Sequence, residues 1–403
     1  MKIRNFISYT KYGFSNKKFN AAVLFIDTAI LVYSIISFIG DASKPASYII
    51  LGVSLLMNVI WQGYSSLNDI LKYYKKNGLV DYMFSDDEID YERFLDEKEG
   101  LSLLRLKRGV VAISPRIDEW IRENDVDTEE DRNAERLVKT YVENNFENLL
   151  PFLTRHYKRS VADDRLFSND TKLCFSGRMT DIDTFRVSRG CYYNSFLTNK
   201  LFNQKLVSDD GVDMFPVKGC TNTDIKVPYR CFSNEIGISA LAVTRDGYMF
   251  FQVQGNHSDS SAGLIVPSGS GSADWDDYTK NKGASFRELI TYSTKRELAE
   301  ETGTAIDGVV KSKIIGFYRW MNQAGKPEFV SLSKLSISRS EISPQKEEQQ
   351  KNLNDKYMFR LVDHNGEINK AAFDEIVSYL DDPSLSIPLY MCILFMKEYC
   401  EAD

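Results

Sequence analysis

The chain has 403 residues, of which 43% are hydrophobic and 27% are charged, and its formal net charge is −7 at pH 7. This length predicts two or three folding units, and the composition is typical of a chain that can build a hydrophobic core. The negative net charge argues against a protein that coats duplex nucleic acid, because such binding requires a basic surface.

Two apolar segments, 21–39 and 46–64, follow a basic leader in residues 1–18. At the rise of an α-helix each segment would be about 28 Å long, which is close to the thickness of the hydrocarbon layer of a bilayer. We therefore predict a two-helix transmembrane hairpin over 19–67. The alternatives are a buried helical hairpin and a cleaved signal peptide. The first is weakened because both segments are apolar on all sides, and the second because the following segment would still hold the chain in the membrane.

Lys and Arg residues flank the hairpin on its outer ends, which predicts that both termini are cytoplasmic. Three polar residues interrupt the spans, namely Asp27, Asn58 and Gln62. In an antiparallel hairpin they would lie at similar depth, where a carboxyl group usually faces a partner helix or water. One interpretation is a polar seam between the protomers of a homo-oligomer. The other is that Asp27 reaches the interface or pairs with Asn58 within one hairpin.

Residues 68–165 are charged and are predicted to form a mostly helical linker. Ser114-Pro115 has the composition of a helix start, and Thr128 to Asp131 places acidic residues where the positive end of another helix would lie. The segment offers no chemistry of its own. We expect it to connect the hairpin to a C-terminal domain.

Five charged residues and a glycine lie with a fixed spacing between 288 and 303. They are Glu288, Arg296, Glu297, Glu300, Glu301 and Gly303. On a helix, residues three and four apart share a face, so Glu297, Glu300 and Glu301 would lie together. Their mutual repulsion is unfavourable unless a cation lies between them, and hard oxygen ligands suit Mg²⁺ or Mn²⁺. The alternative is a solvated acidic helix end, with Gly303 as the residue that ends the helix.

This register resembles the Nudix box, which here spans 283–304. Two positions depart from the pattern, since Lys282 replaces a glycine and Thr304 replaces a hydrophobic residue. The upstream Pro-Gly-Gly is degraded to the sequence that begins at Pro267, and an insert around 275–277 separates it from the helix. The resemblance implies an α/β/α Nudix-fold cytosolic domain over 166–403.

It also implies that Glu297, Glu300 and Glu301 bind the metal and position water, with one carboxylate acting as general base. Arg296 would orient a glutamate by pairing with Glu288.

The flanks of the box have the patterns of strands and helices. Alternating and apolar runs predict strands at 234–243, 248–253, 312–317 and 329–335, with a hairpin turn at 245–247. Helical spacing predicts helices at 371–380 and 389–399. These elements are those that an α/β/α domain requires.

Several further residues could bind a nucleotide, because guanidinium groups bind phosphate and aromatic rings stack on bases. The candidates are Arg186, Arg189, Tyr192, Tyr193, Ser268, Arg319 and Trp320. The alternative for the tyrosines is a strand that packs them in the core. For Ser268 it is an ordinary Ser/Gly loop.

A two-span hairpin joined to a Nudix domain resembles the transmembrane-Nudix effectors of bacterial CBASS antiphage defence. The resemblance implies an inner-membrane protein whose Nudix domain binds a cyclic oligonucleotide, after which the hairpins oligomerise and disrupt the bilayer. The alternative is a membrane-tethered, Mg²⁺-dependent Nudix hydrolase of nucleoside diphosphate-linked substrates. Both functions require a nucleotide ligand and remain open at the level of sequence.

Overall fold

The computed structural model describes residues 8–13, 15, 33, 79–162, 169–180, 183–216, 231–255, 261, 263–343 and 351–402. Within these ranges the chain is a mixed α/β protein. The strands are β1 (Val80–Met83), β2 (Ser102–Leu106), β3 (Gly109–Ile113), β4 (Asp127–Glu130), β5 (Thr171–Phe175), β6 (Thr184–Cys191), β7 (Gln204–Val207), β8 (Asp213–Met214), β9 (Gly237–Val243), β10 (Tyr248–Gln254), β11 (Ile265–Val266), β12 (Gly269–Ser272), β13 (Val309–Trp320), β14 (Lys326–Leu335) and β15 (Lys351–Arg360).

The α-helices are α1 (Pro115–Glu123), α2 (Arg132–Ala162), α3 (Tyr192–Ser195), α4 (Trp275–Lys280), α5 (Phe286–Thr302), α6 (Lys370–Ser378) and α7 (Ile387–Ala402). The chain divides into two compact units. One unit combines 1–82, 139–168 and 206–219, and the other combines 83–138, 169–205 and 220–403.

The first unit contains most of α2 and part of a small sheet with the order β1-β7-β8. Tyr9 stacks on Tyr157 with ring centroids 4.6 Å apart, and its hydroxyl lies 2.6 Å from Thr154 Oγ1. Asp81 forms ion pairs with Arg155 and Arg159. Aromatic packing and charge pairing therefore hold the residues described in this unit.

The second unit is built on a nine-stranded sheet with the order β11-β10-β9-β14-β13-β3-β2, in which β12 also pairs with β9 and β15 with β10. The pair β9–β14 is parallel, and its neighbours are antiparallel. Helix α5 contributes Leu298 to one hydrophobic cluster, and α7 contributes Leu389 and Ile393 to another. A second sheet with the order β4-β6-β5 completes the unit.

The predicted strands and helices around the box are confirmed with small shifts of their ends. The hairpin turn at 245–247 joins β9 to β10, and β13 and β14 extend beyond the predicted 312–317 and 329–335. Helix α1 begins at Pro115 after Ser114, as predicted. Each of these predictions rested on a local signal such as a cap, a turn or alternation.

The predicted helical linker is wrong for much of 80–130. This segment forms strands β1 to β4, and β3 pairs with β13 through Ala112 and Arg319. The acidic run Thr128 to Asp131 was predicted to open a helix, and α2 does begin directly after it at Arg132, but Asp127 to Glu130 form strand β4 and pair with β6 in parallel. Only Asp131 caps the following helix, where its carboxylate accepts the backbone N–H groups of Asn133 and Ala134.

The predictions of an N-terminal transmembrane hairpin and of an inner-membrane location are also corrected. Within the ranges described, no helix is both long and apolar enough to cross a membrane. The apolar helix α7 has 16 residues, about 24 Å at the helical rise, and packs in the core of the second unit. Residues 19–67, with Asp27, Asn58 and Gln62, lie outside the described residues except for Tyr33.

Candidate functional site

Helix α5 carries the residues of the box and is fixed at both ends by capping. At its start, Ser285 Oγ accepts the backbone N–H of Glu288, while the Glu288 carboxylate accepts the backbone N–H of Ser285 at 3.0 Å. At its end, Gly303 is left-handed with φ of 73°. A methyl group there would lie 1.9 Å from the carbonyl oxygen of Ser343. The predicted helix end is thus confirmed, and only glycine suits this position.

Helix α5 carries three glutamates of the box, Glu297, Glu300 and Glu301, which are called the box glutamates. Two of them point into the protein. Glu297 and Glu301 are 8% and 2% exposed, whereas the side chain of Glu300 is 40% exposed. The Glu301 carboxylate accepts the backbone N–H of Ser270 at 3.0 Å. Glu297 and Glu301 therefore lie between helix α5 and strand β12, and Glu300 lies nearer to solvent.

Strand β12 approaches the helix closely because two of its residues are glycines. A methyl group on Gly271 would lie 2.2 Å from Glu297 Oε2, and one on Gly269 would lie 2.6 Å from Leu298 Cδ2. A side chain at either position would displace the helix or the carboxylate. The degraded Ser/Gly run of the sequence thus has a specific function, which is to make room for Glu297.

Arg296 lies at the centre of a group of carboxylates. Its guanidinium contacts Asp277 at 2.8 Å, Glu297 at 3.0 Å, Glu300 at 3.1 Å and Asp274 at 3.6 Å. Burial disfavours the charged form, yet Glu297 and Asp277 raise the pKa of Arg296 above its ordinary value. The predicted pairing with Glu288 is replaced by these contacts. Glu288 lies eight residues before Arg296, about 12 Å along the helix, and caps the start of the helix.

The box glutamates have the type of ligand atom that a divalent cation such as Mg²⁺ or Mn²⁺ prefers. All three supply hard carboxylate oxygens, and Gly271 leaves a cradle for one of them that a Cβ would fill. In the arrangement seen, they are shared with Arg296 and with the Ser270 backbone. Across the described ranges, no group of three or more His, Cys, Asp or Glu side chains is arranged to hold a metal ion.

Three residues of this site, Asp277, Asp274 and Lys172, were not predicted from the sequence. Asp277 and Asp274 belong to the insert before the box, and Lys172 belongs to β5 of the second sheet. Lys172 Nζ donates to Asp274 at 2.7 Å. The pattern Asp-x-x-Asp at 274–277 is a capping signal that could have placed a helix start there. Nothing in the sequence pairs Lys172 with it.

The predicted ligand residues divide into two groups. Arg186 and Arg319 line one cavity of about 1030 Å³, whose wall also includes Arg178, Lys98 and Glu129. Arg186 is half-exposed and lies 3.9 Å from Glu129. This cavity lies within the second unit, and its lining includes none of the box glutamates.

The other predicted ligand residues serve the fold or lie elsewhere. Ser268 is fully buried, donates to the Phe250 carbonyl at 2.6 Å and accepts the Ala242 N–H at 3.0 Å. Tyr193 is 1% exposed, and Trp320 packs against the cluster that includes α7. The two that remain are Arg189, exposed on β6, and Tyr192, whose ring lies 4.8 Å from Lys200 Nζ.

No family model matches the chain, and no curated protein matches it. Three of the solved structures that are similar to part of the chain illustrate the likeness. A MutT protein from Methanosarcina mazei is 15% identical, with a TM-score of 0.27 over 42% of this chain and 95% of that protein. The bifunctional NMN adenylyltransferase/ADP ribose pyrophosphatase from Francisella tularensis, complexed with AMP and a manganese ion, is 15% identical, with a TM-score of 0.25 over 41% of this chain and 42% of that protein.

The third is a protein from Deinococcus radiodurans, which is 10% identical, with a TM-score of 0.24 over 41% of this chain and 83% of that protein. All three likenesses are weak and cover less than half of this chain. The capped helix α5, its inward glutamates and the glycine strand β12 beside them are observed in this chain itself.

Proposed function

We propose that the second unit binds a phosphate-bearing nucleotide through Mg²⁺ or Mn²⁺ at the box glutamates and hydrolyses its phosphoanhydride bond. The observation that carries this proposal is the burial of Glu297 and Glu301 against a strand that has glycine where Glu297 needs room. Two buried carboxylates on adjacent turns repel each other and are costly to keep ionised without a cation. Arg296 alone does not balance the carboxylates around it.

The bound cation would neutralise phosphate charge and orient the nucleotide. The residues of the chain then have separate tasks. Arg296 holds Glu297 and Glu300 in position. A box glutamate takes a proton from the attacking water as its oxygen bonds to phosphorus, while the bridging P–O bond breaks and the leaving phosphate takes the electron pair.

The test is hydrolysis of a nucleoside diphosphate conjugate by the full chain. With ADP-ribose and Mg²⁺ or Mn²⁺, we expect AMP and ribose phosphate as products, separated by chromatography. Glu297→Gln combined with Glu301→Gln should abolish turnover. Equal turnover by this variant and the unaltered chain would contradict the proposal.

A second candidate function is the sensing of a cyclic oligonucleotide. The observation in its favour is the cavity of about 1030 Å³ lined by Arg186 and Arg178, which is large enough for a nucleotide ligand and separate from the box glutamates. Under this proposal the full chain binds a cyclic dinucleotide and leaves it intact, and Arg186→Ala weakens binding whether or not metal is present. Binding that requires metal and is unaffected by Arg186→Ala would favour the hydrolase.

A further inference from the structure

Helix α4, formed by the insert before the box, begins with two aspartates that bond to each other's backbone. Asp277 Oδ2 accepts the backbone N–H of Asp274 at 3.0 Å. The same Asp277 carboxylate accepts Arg296 Nε at 2.8 Å and Nη2 at 3.1 Å. Asp277 is 1% exposed. It is therefore a buried residue that holds one edge of the Arg296 guanidinium through two bonds, which fixes its plane.

The other edge of Arg296 faces Glu297 and Glu300. Nη1 donates to both carboxylate oxygens of Glu300, at 3.2 Å and 3.1 Å, and Nη2 lies 3.0 Å from Glu297. Nη2 also donates to the Ser272 carbonyl at 3.1 Å. Because the guanidinium is planar and rigid, its anchor at Asp277 sets where Glu297 and Glu300 are held.

Lys172 is a second cation, and it forms an ion pair with Asp274, the other aspartate of the insert. Lys172 Nζ lies 2.7 Å from Asp274 Oδ1, while Asp274 Oδ2 is 3.6 Å from Arg296 Nη2. Burial disfavours the charged lysine, but Asp274 raises the pKa of Lys172 above its ordinary value, so the lysine remains protonated. Lys172 therefore neutralises an aspartate that would otherwise compete with Asp277 for Arg296.

We propose that Asp277 is a positioning residue that acts through Arg296 to fix Glu297 and Glu300 for cation binding, with Lys172 keeping Asp274 out of competition. This inference rests on the proposed function, since it concerns the same glutamates. It gives the insert a function that the box residues do not supply themselves. Partners of metal ligands typically change metal affinity by about 10- to 100-fold when they are removed.

The experiment measures Mn²⁺ binding to the full chain by the paramagnetic resonance signal of the free ion. Asp277→Asn keeps an oxygen for the cap and for one N–H of Arg296 but loses the charge. We expect Mn²⁺ affinity to fall by about 10-fold or more. Asp276→Asn is the matched control, because Asp276 is exposed on the same helix and loses the same charge. Equal affinities in these two variants and the unaltered chain would overturn the inference and leave the proposed function standing.

A double-mutant cycle separates positioning from mere support of the fold. If Asp277 acts through Arg296, then Asp277→Asn should have no further effect on Mn²⁺ affinity in an Arg296→Met background. Additive losses would show that Asp277 acts by another route and would overturn the inference. If the unaltered chain does not bind Mn²⁺, the proposed function fails and takes the inference with it.

Lys172→Gln provides a second variant in case Asp277→Asn does not fold. It frees Asp274 to draw Nη2 of Arg296 away from Glu297, so we expect a smaller loss of Mn²⁺ affinity, which Lys172→Arg should restore. Unchanged affinity in Lys172→Gln would contradict the relation between the two aspartates.

Discussion

Two buried arginines in the second unit, Arg296 and Arg319, have opposite surroundings. The side chain of Arg319 is 3% exposed and donates two hydrogen bonds of 2.6 Å to the carboxylate of Glu99. Its guanidinium also lies 5.7 Å and 5.5 Å from the ring centres of Phe175 and Phe317. Arg296 is 12% exposed and is shared among several carboxylates. One pair is balanced and closed, and the other group carries an excess of negative charge.

The difference distinguishes a structural ion pair from a binding site. A closed pair such as Arg319–Glu99 has its charge and hydrogen bonds satisfied, so it offers little to a ligand even though Arg319 borders a cavity. A group with surplus carboxylates is unfavourable by itself and becomes stable when a further cation binds. Arg319 was predicted as a ligand residue from its neighbour Trp320, and its pairing with Glu99 now assigns it to the fold.

The largest effect should follow from breaking the balanced pair. Glu99→Gln leaves the Arg319 guanidinium buried without its counter-charge, which should lower the free energy of unfolding by about 3 to 5 kcal/mol. Urea denaturation of the full chain measures it. Glu97→Gln is the matched control, because Glu97 is exposed on the same short 3-10 helix, Glu97–Glu99, and its substitution should change stability by less than about 0.5 kcal/mol. Similar losses in both variants would show that Arg319 does not depend on Glu99.

Asp118 extends the comparison to a buried carboxylate that is bound by a backbone N–H. It is 4% exposed, and its Oδ1 accepts the N–H of Phe317 at 2.8 Å. Burial raises the pKa of Asp118 to about 7, although the bond from Phe317 opposes the shift. The native state therefore keeps a proton that the unfolded chain loses near pH 4. The stabilisation of the native state by this proton on Asp118 is complete below about pH 4 and is lost as the pH rises towards 7.

Asp118→Asn should remove this dependence because an amide neither titrates nor loses the bond from Phe317. Between pH 4 and 7 the unfolding free energy of the unaltered chain should fall by up to about 1.4 kcal/mol per pH unit more than that of the variant. Urea denaturation at several pH values measures the difference. Glu119→Gln, at an exposed neighbour, should keep the slope of the unaltered chain. A parallel pair of curves for Asp118→Asn and the unaltered chain would contradict the assignment.

The parts of the fold that sequence analysis predicted correctly are those set by neighbouring residues. Ser114-Pro115 begins a helix and Gly303 ends one, because a cap depends on a few adjacent backbone groups. The start of α2 was predicted a few residues too early, because strand β4 precedes it and the pairing of β4 with β6 connects residues far apart in the chain. No local signal encodes such a partner.

The same distinction applies to the candidate site. The box glutamates could be predicted because their spacing on one helix determines that they share a face. Asp277 and Lys172 could not, because they reach Arg296 and Asp274 from other elements. Ser268 was misassigned for the converse reason. Its composition suits a phosphate loop, but its position between β9 and β10 buries it.

The smallest effect on stability should come from the site with surplus charge. Glu297→Gln and Glu301→Gln together remove two negative charges from a region that has too many, and the amide oxygen of the second substitution can still accept the N–H of Ser270. Asp277 continues to hold Arg296. We therefore expect the unfolding free energy to change by less than about 1 kcal/mol.

The same double variant, Glu297→Gln with Glu301→Gln, should lose its affinity for Mg²⁺ or Mn²⁺, measured by calorimetric titration of the full chain. Glu288→Gln is the control, since it alters one charge at the distant, capped end of the same helix and should retain metal affinity. Metal affinity that is unchanged in the double variant would rule out the box glutamates as ligands, and the surroundings of the two arginines would then differ in charge without differing in function.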